Sequence, residues 1–375
     1  MGKIKVAIIS SGIPTQKYPL EGIFAFDQAK ALASAGVEIV FLSIDLRSIR
    51  KKREFGFSSG VKDGIRWFSV SLPIGPIWFI HKIILKPLVV SLFKKAFKDG
   101  EKPDLIHAHF AGSAAYILGT KYKIPYVITE HNSEINKDDL PPNVKDTIKL
   151  QYQNAARVLA VSSVLSKRIK NHSGVESIVV PNIIDTHLFL EARKRSHEGF
   201  RLVTTSNLIP LKRTKNILQV LPDIIAEYND VKLDIIGEGV LKGELMEFVK
   251  SHGLENNVEF HGLLTRDNIS KIYEVSDCFI LPSSTETFGV AYVEAMAAGL
   301  PVIATKCGGP EDFVDELNGI MIEVDDMQQL KDAILYMYKH YKDYDAQAIK
   351  TSVTAKYSPE VVAKEIIAVY NEILN

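Results

Sequence analysis

Short apolar runs bounded by turn residues recur along the chain, and longer amphipathic stretches separate them. Residues 3–10 read as a buried strand, 24–35 as a helix closed by Gly36, and 38–44 as the next strand. Residues 105–108, 126–129 and 158–161 follow as strands with helical stretches between them. This alternation predicts an α/β fold with a doubly wound parallel sheet. Residues 193–199 are polar and break the pattern, which places a linker there. The pattern restarts at 201–206, 232–237, 258–261, 277–282 and 301–305, predicting a second α/β domain. The expected domains are therefore 1–192 and 200–357.

The segment 74–97 reads differently. It carries Trp78, Phe79, Ile83, Leu85, Leu92 and Phe93 together with Lys82, Lys86, Lys94 and Lys95. His81, Lys82, Lys86 and Pro87 interrupt any long apolar run, which argues against a membrane span. Two readings stay open: an amphipathic helix packed on the first sheet, and a basic helix touching an anionic membrane.

At 375 residues, with 46% hydrophobic and 24% charged residues, the chain has material for two cores. Net charge is zero, but the halves differ: 26 Lys and Arg stand against 16 Asp and Glu up to residue 190, and 19 against 29 beyond it. A basic first half suits anionic partners, and it equally suits a complementary second half. Cys278 and Cys307 make no disulfide framework, and Met1 to Val6 leads directly into a strand without a signal-peptide core. A cytoplasmic setting is expected, with the inner face of a membrane left open. No nucleic-acid partner is expected.

The richest chemistry lies in 286–301. An apolar strand ends at Leu281 and Pro282, and a helix starts near Val290 and stops at Gly299. The loop between them falls at the C-terminal end of a strand, where open α/β sheets bind ligands. Phe288, Gly289 and Val290 occupy the first helical turn, where free N–H groups favour a phosphate. Glu286 lies on the loop and Glu294 inside the helix. Two carboxylates flanking an anion site suit a ligand with phosphates between two hydroxyl-rich ends, as in a nucleotide sugar. The strand-end turn of the first domain lacks Gly-x-Gly-x-x-Gly, so the dinucleotide fingerprint is missing.

The stretch from Glu286 to Glu294, with its flanks and the following Gly308-Gly309-Pro310-Glu311, resembles the Glu-x7-Glu region of retaining glycosyltransferases of family 4. The resemblance extends along most of the chain. It includes Gly22 to Gln28, Lys102 to His109, Val180 to Asp185, Ile235 to Gly239, and Tyr357 to Tyr370. It implies the GT-B fold: two Rossmann-like domains facing across a cleft, with a last helix, 358–375, returning to the first. The implied reaction moves a hexosyl group from a nucleotide-diphosphate sugar to a glycan or lipid-linked acceptor, with retention at the anomeric carbon.

By the same resemblance, Glu286 contacts the donor sugar near its anomeric carbon, and Glu294 accepts hydrogen bonds from the ribose. Lys212 stabilises the leaving diphosphate. Ser206 to Arg213 is similar to the family's Gly-Arg-Leu-x-x-x-Lys-Gly, but Asn207 stands at the arginine position and Arg213 at the last glycine. Arg213 is expected to supply the missing charge. His131 matches a histidine that faces the sugar, and Gly22 lets a loop approach the diphosphate. Gly237, Glu238 and Gly239 form a turn near the nucleotide or a plain strand–helix turn. His107 and His109 share a strand face but lack a metal-ligand cluster, so neither a metal nor another cofactor is expected. A nucleotide-sugar epimerase of the same fold and a non-catalytic sugar-nucleotide binder are the rival readings.

Overall fold

The computed structural model describes residues 3–50, 52–75, 78–98, 100–110, 112–189 and 197–375, with the backbone alone for 78–82. The chain forms two compact units, Met1–Ile183 with Pro359–Asn375, and Ile184–Ser358.

The first unit runs β1 (Lys5–Ser10), α1 (Ile23–Ser34), β2 (Glu38–Asp45), β3 (Gly56–Lys62), β4 (Ile65–Ser71), α2 (Trp78–Ala96), β5 (Leu105–His109), α3 (Ser113–Tyr122), β6 (Tyr126–Glu130), α4 (Pro142–Gln153), β7 (Arg157–Ala160), α5 (Ser163–Ser173) and β8 (Ile178–Val179). Its sheet has the order β3-β4-β2-β1-β5-β6-β7-β8. All neighbours are parallel except β3 and β4. The doubly wound parallel sheet expected from the sequence is present and carries one antiparallel edge strand. Asp63 and Gly64 have φ of 48° and 78°, and this two-residue turn folds β3 back as an antiparallel edge.

Strands β1, β2, β5 and β6 are nearly continuous buried runs because helices cover both faces. On one face, Val6, Ile8, Phe26, Leu32 and Phe41 pack with Val362, Ile366 and Tyr370 from the last helix of the chain. On α2, Val89, Leu92, Phe93 and Ala96 are buried while Lys94 and Lys95 stay exposed. The C-terminal half of α2 thus packs as an amphipathic helix. No helix among the described residues is long and apolar enough to cross a membrane.

The second unit runs β9 (Phe200–Thr205), α6 (Thr214–Glu227), β10 (Val231–Ile236), α7 (Lys242–Ser251), β11 (Val258–Gly262), α8 (Arg266–Glu274), β12 (Cys278–Leu281), α9 (Val290–Ala297), β13 (Val302–Thr305), β14 (Gly319–Ile322), α10 (Met327–His340) and α11 (Ala346–Tyr357). Its sheet is parallel throughout, in the order β11-β10-β9-β12-β13-β14. Helix α12 (Pro359–Leu374) then joins the first unit.

The expected linker at 193–199 lies, up to residue 196, outside the described residues. The units divide earlier, between Ile183 and Ile184. Residues 184–189 go with the second unit because Ile184 N–H donates to the Tyr357 carbonyl at 2.9 Å and Ser270 Oγ donates to the Leu188 carbonyl at 2.7 Å.

Candidate functional site

In the second unit, β12 delivers the chain to the loop that carries Glu286. The loop is clamped by the Gly308–Gly309 turn: Glu286 N–H donates to the Cys307 carbonyl, and Gly309 N–H donates to the Glu286 carbonyl, each at 3.0 Å. A side chain at Gly309 would bring Cβ within 2.2 Å of the Phe288 carbonyl oxygen, so only glycine permits this approach.

The Glu286 carboxylate is buried and has two neighbours on one oxygen. Lys212 Nζ lies 2.6 Å from Oε1, and Ser283 Oγ donates to it at 2.8 Å. Lys212 arrives from a 3-10 turn, Pro210–Lys212, whose middle residue Leu211 accepts from Ser284 N–H at 2.8 Å. The structure therefore joins two residues that sequence reasoning had placed separately. Burial pushes the nearby Cys307 thiol up to about 12, with Glu286 adding to the rise, so it is no nucleophile at neutral pH.

Helix α9 starts immediately after. Gly289 has φ 97°, and a Cβ there would meet the Tyr292 ring at 2.8 Å. The N–H groups of the first helical turn that follows have no intrahelical acceptors. The Phe288 side chain, by contrast, is core, packed against Phe313 and Tyr357. Any ligand contact from Phe288 is through its backbone. One turn into α9, Glu294 is buried and its Oε1 lies 3.2 Å from Arg266 Nε at the start of α8. Arg266 escaped the sequence reading, since nothing local to it marks a partner in α9.

Gly237 and Gly239 have a steric reason to be glycines. Cβ atoms there would lie 1.8 Å from the Ser206 carbonyl oxygen and 2.2 Å from that of Leu208. The turn after β10 packs directly on the loop that leads to Lys212, with Leu208 N–H donating to the Glu238 carbonyl at 2.9 Å. The Glu238 side chain pairs with Lys242 at 2.6 Å. Asn207 is exposed on the same loop.

Arg213 pairs with Asp325 in the second unit. Its Nε and Nη2 donate to the two oxygens of Asp325 at 2.7 and 2.9 Å, and Nη1 donates to the Pro210 carbonyl at 2.8 Å. The guanidinium is committed to these partners rather than held beside Lys212 and Glu286. Its backbone φ of 52° explains why a glycine suits this position.

In the first unit, β5 and β6 end in a stack of imidazoles. The His107 and His109 ring centroids lie 4.9 Å apart, and those of His109 and His131 5.2 Å. His109 Nδ1 and His131 Nε2 are hydrogen-bonded across 3.0 Å. His107 bonds Tyr370 Oη at 2.6 Å and Thr129 Oγ1 at 2.7 Å, so both its ring nitrogens have local hydrogen-bond partners. Phe24, from the first turn of α1, stacks on His131 at 6.1 Å. Burial lowers His107 to about 3 and His131 to about 4, and holds His109 well below its usual value. All three rings are neutral near pH 7.

Glu130, missed in the sequence, fixes this corner. Its buried carboxylate accepts from His131 N–H at 3.0 Å, Asn132 N–H at 2.7 Å and Tyr152 Oη at 2.6 Å. Gly22, at φ 65°, caps α1; a Cβ there would lie 2.2 Å from the Gly12 carbonyl oxygen. One acidic cluster of metal-ligand type occurs among the described residues: Asp234, Glu259 and His261. Arg201 and His261 already occupy both Asp234 oxygens, and a guanidinium inside the cluster opposes a cation.

Comparison with known proteins shows the family. Residues 22–188 match the family model of Glycosyltransferase Family 4, and residues 189–352 match that of Glycosyl transferases group 1. The chain is a group 1 glycosyltransferase. This glycosyltransferase is 28% identical over 97% of its length, and 97% of the relative's, to a Bacillus subtilis (strain 168) protein named as the teichuronic acid biosynthesis glycosyltransferase TuaC. Its fold matches sucrose-phosphate synthase from Thermosynechococcus elongatus with TM-score 0.80 and 17% identity, covering 99% of each chain. HepE of Anabaena, solved in complex with UDP, matches with TM-score 0.75 and 18% identity, covering 98% of this chain and 100% of that one. The group 1 glycosyltransferase thus has the GT-B fold.

Proposed function

We propose that this glycosyltransferase moves a hexosyl group from a nucleoside-diphosphate sugar to a glycan or lipid-linked acceptor, with retention of anomeric configuration. The observation that carries the reading is the Lys212–Glu286 pair, 2.6 Å apart beside the first turn of α9. A cation and the N–H groups of a first helical turn suit a departing diphosphate, and an adjacent carboxylate suits the positive charge that develops on the sugar. Glu294 takes the ribose hydroxyls, and Lys212 with the N–H groups of Phe288, Gly289 and Val290 takes the phosphates. In the first unit, neutral His131 bonds a sugar hydroxyl, and Gly22 lets backbone approach phosphate.

In the reaction, the bond from the anomeric carbon to the phosphate oxygen breaks and a bond to the acceptor oxygen forms on the same face. The acceptor's proton passes to the departing phosphate. No metal is assigned to the step, because Lys212 and helix termini supply the positive potential. Basic α2, with exposed Ile83 and Lys86, is the proposed contact with an anionic membrane from the cytoplasmic side.

The test is a thermal-shift screen of nucleoside-diphosphate sugars, followed by assay of the stabilising donor with and without acceptor. Slow donor hydrolysis without acceptor and transfer with it is the expected result. Interconversion of one nucleotide sugar into another without hydrolysis overturns the reading.

A further inference from the structure

A pocket of about 480 Å³ lies between the C-terminal half of α2 and the hairpin of β3 and β4, wholly within the first unit. Its volume is that of a small-molecule site. It belongs to the outer edge of the sheet: β3 is the last strand, and β2 and β1 stand between β4 and the histidine-bearing β5.

The register of the hairpin builds one wall. Ser59 stands opposite Phe68, Phe57 opposite Val70, and Val61 opposite Arg66. Residues opposite each other and two apart share a face, so Phe57, Ser59, Phe68 and Arg66 project from the same side of the hairpin. Leu92 and Ala96 of α2 form the other wall and are buried, Phe68 is half-buried, and Phe57 is 45% exposed. The apolar lining thus runs from the core out to solvent.

The charged lining is unbalanced. Arg66, Lys95 and Lys98 stand at the pocket against one carboxylate, Glu101. Glu101 is engaged by Lys5, whose Nζ lies 3.5 Å from it and 3.0 Å from Glu38. Arg66 Nη2 comes only to 3.9 Å from Glu38, too far for a hydrogen bond, so the guanidinium fork is unused. Lys95 holds its ammonium 4.8 Å from the Phe57 ring centroid. Neither Lys95 nor Lys98 makes an ion pair among the described residues. A concave surface lined by one sign of charge concentrates the opposite sign. An open guanidinium fork beside an ammonium fits the several oxygens of a phosphate, and the Ser59 hydroxyl adds a donor.

We propose that this pocket binds a phosphate ester with an apolar organic part: the phosphate on Arg66 and Lys95, the apolar part against Phe57, Phe68 and Leu92. The proposal goes beyond the transfer reaction and uses none of the residues assigned to it. The same chemistry occurs in a soluble aryl phosphate and in the headgroup region of an anionic phospholipid.

The experiment titrates the full chain calorimetrically with 1-naphthyl phosphate, inorganic phosphate and 1-naphthol, with excess UDP present to occupy a diphosphate site. Naphthyl phosphate is expected to bind at least about tenfold tighter than either of the other two. Arg66→Gln combined with Lys95→Gln weakens it by about tenfold or more and leaves the melting midpoint and UDP affinity unchanged. Both side chains are exposed, so the double variant folds. No binding of naphthyl phosphate, binding no tighter than that of inorganic phosphate or 1-naphthol, or binding that survives the double substitution overturns the proposal. Sedimentation with phosphatidylcholine vesicles containing phosphatidic acid separates the two sources. Pelleting of the unaltered protein but not of the double variant assigns the pocket to a lipid headgroup, and equal behaviour of the two assigns it to a soluble phosphate ester.

Discussion

Arg213 and Asp325 both sit in left-handed backbone, at φ 52° and 60°, and hold each other through two guanidinium–carboxylate hydrogen bonds. Each strained loop is thereby pinned by the other. The pair is exposed enough for water to weaken it, so backbone strain and ion pair are of similar size, each about 1 kcal/mol. Arg213→Gly therefore leaves stability within about 1 kcal/mol of the original in urea denaturation. Arg213→Ala, which keeps the strain and loses the pair, costs about 1 kcal/mol more than the glycine variant. Neither changes diphosphate affinity by more than threefold, because the guanidinium faces Asp325.

Glu286→Gln is expected to reduce transfer by more than about 100-fold while the protein stays folded. The amide keeps the shape of the side chain and loses the charge that faces the developing cation. Near-normal turnover in a folded variant would remove Glu286 from the mechanism.

Lys212 and Glu294 are expected to separate the two ends of the nucleotide. Lys212→Ala weakens inorganic diphosphate and UDP alike, by the roughly 1.5–3 kcal/mol of a charge-assisted contact. Glu294→Ala weakens UDP and leaves inorganic diphosphate unaffected. Identical profiles for the two variants in competition titrations contradict the assignment of Glu294 to the ribose.

Chelation is expected to leave UDP affinity and transfer within twofold. Loss of both in EDTA, with recovery on adding magnesium or manganese, assigns the phosphate charge to a metal instead.

The imidazole stack predicts acid sensitivity of the first unit. Above the ordinary histidine value of 6.5 the rings are neutral whether folded or unfolded. Below it the unfolded chain binds protons that the folded rings refuse until about 4 for His131 and about 3 for His107. Stability therefore falls with pH from 6.5 towards 4, by about 1.4 kcal/mol per pH unit for each such ring. Glu130 and Asp45, both raised by burial, bind protons more readily when folded and oppose part of the loss. His107→Gln makes the slope shallower. Both tryptophans, Trp67 and Trp78, lie in the first unit, so their fluorescence during denaturation reports it.

What could be read from the sequence was what is written locally. The strand ending at Leu281, the glycine at 289 and the helix from Val290 follow one another within a few residues, so the site around Glu286 and Glu294 was visible. The partner of each carboxylate was not. Lys212 is 74 residues from Glu286, and Arg266 lies on a different helix from Glu294. The charge of Arg213 was legible in the sequence, while its left-handed backbone and its partner Asp325 were not. The β3–β4 edge was legible in its Asp63-Gly64 turn but was overshadowed by the α/β alternation around it.

The return of α12 to the first unit has a consequence for how the chain is made. Val362, Ile366 and Tyr370 belong to the core that contains Val6, Ile8 and Phe26. During synthesis the second unit has all its residues once Ser358 has left the ribosome, whereas the first, though translated earlier, lacks a wall of its core until the final helix emerges. Of the two units, the one begun first is completed second, and that apolar face stays uncovered while the whole of the other unit is translated.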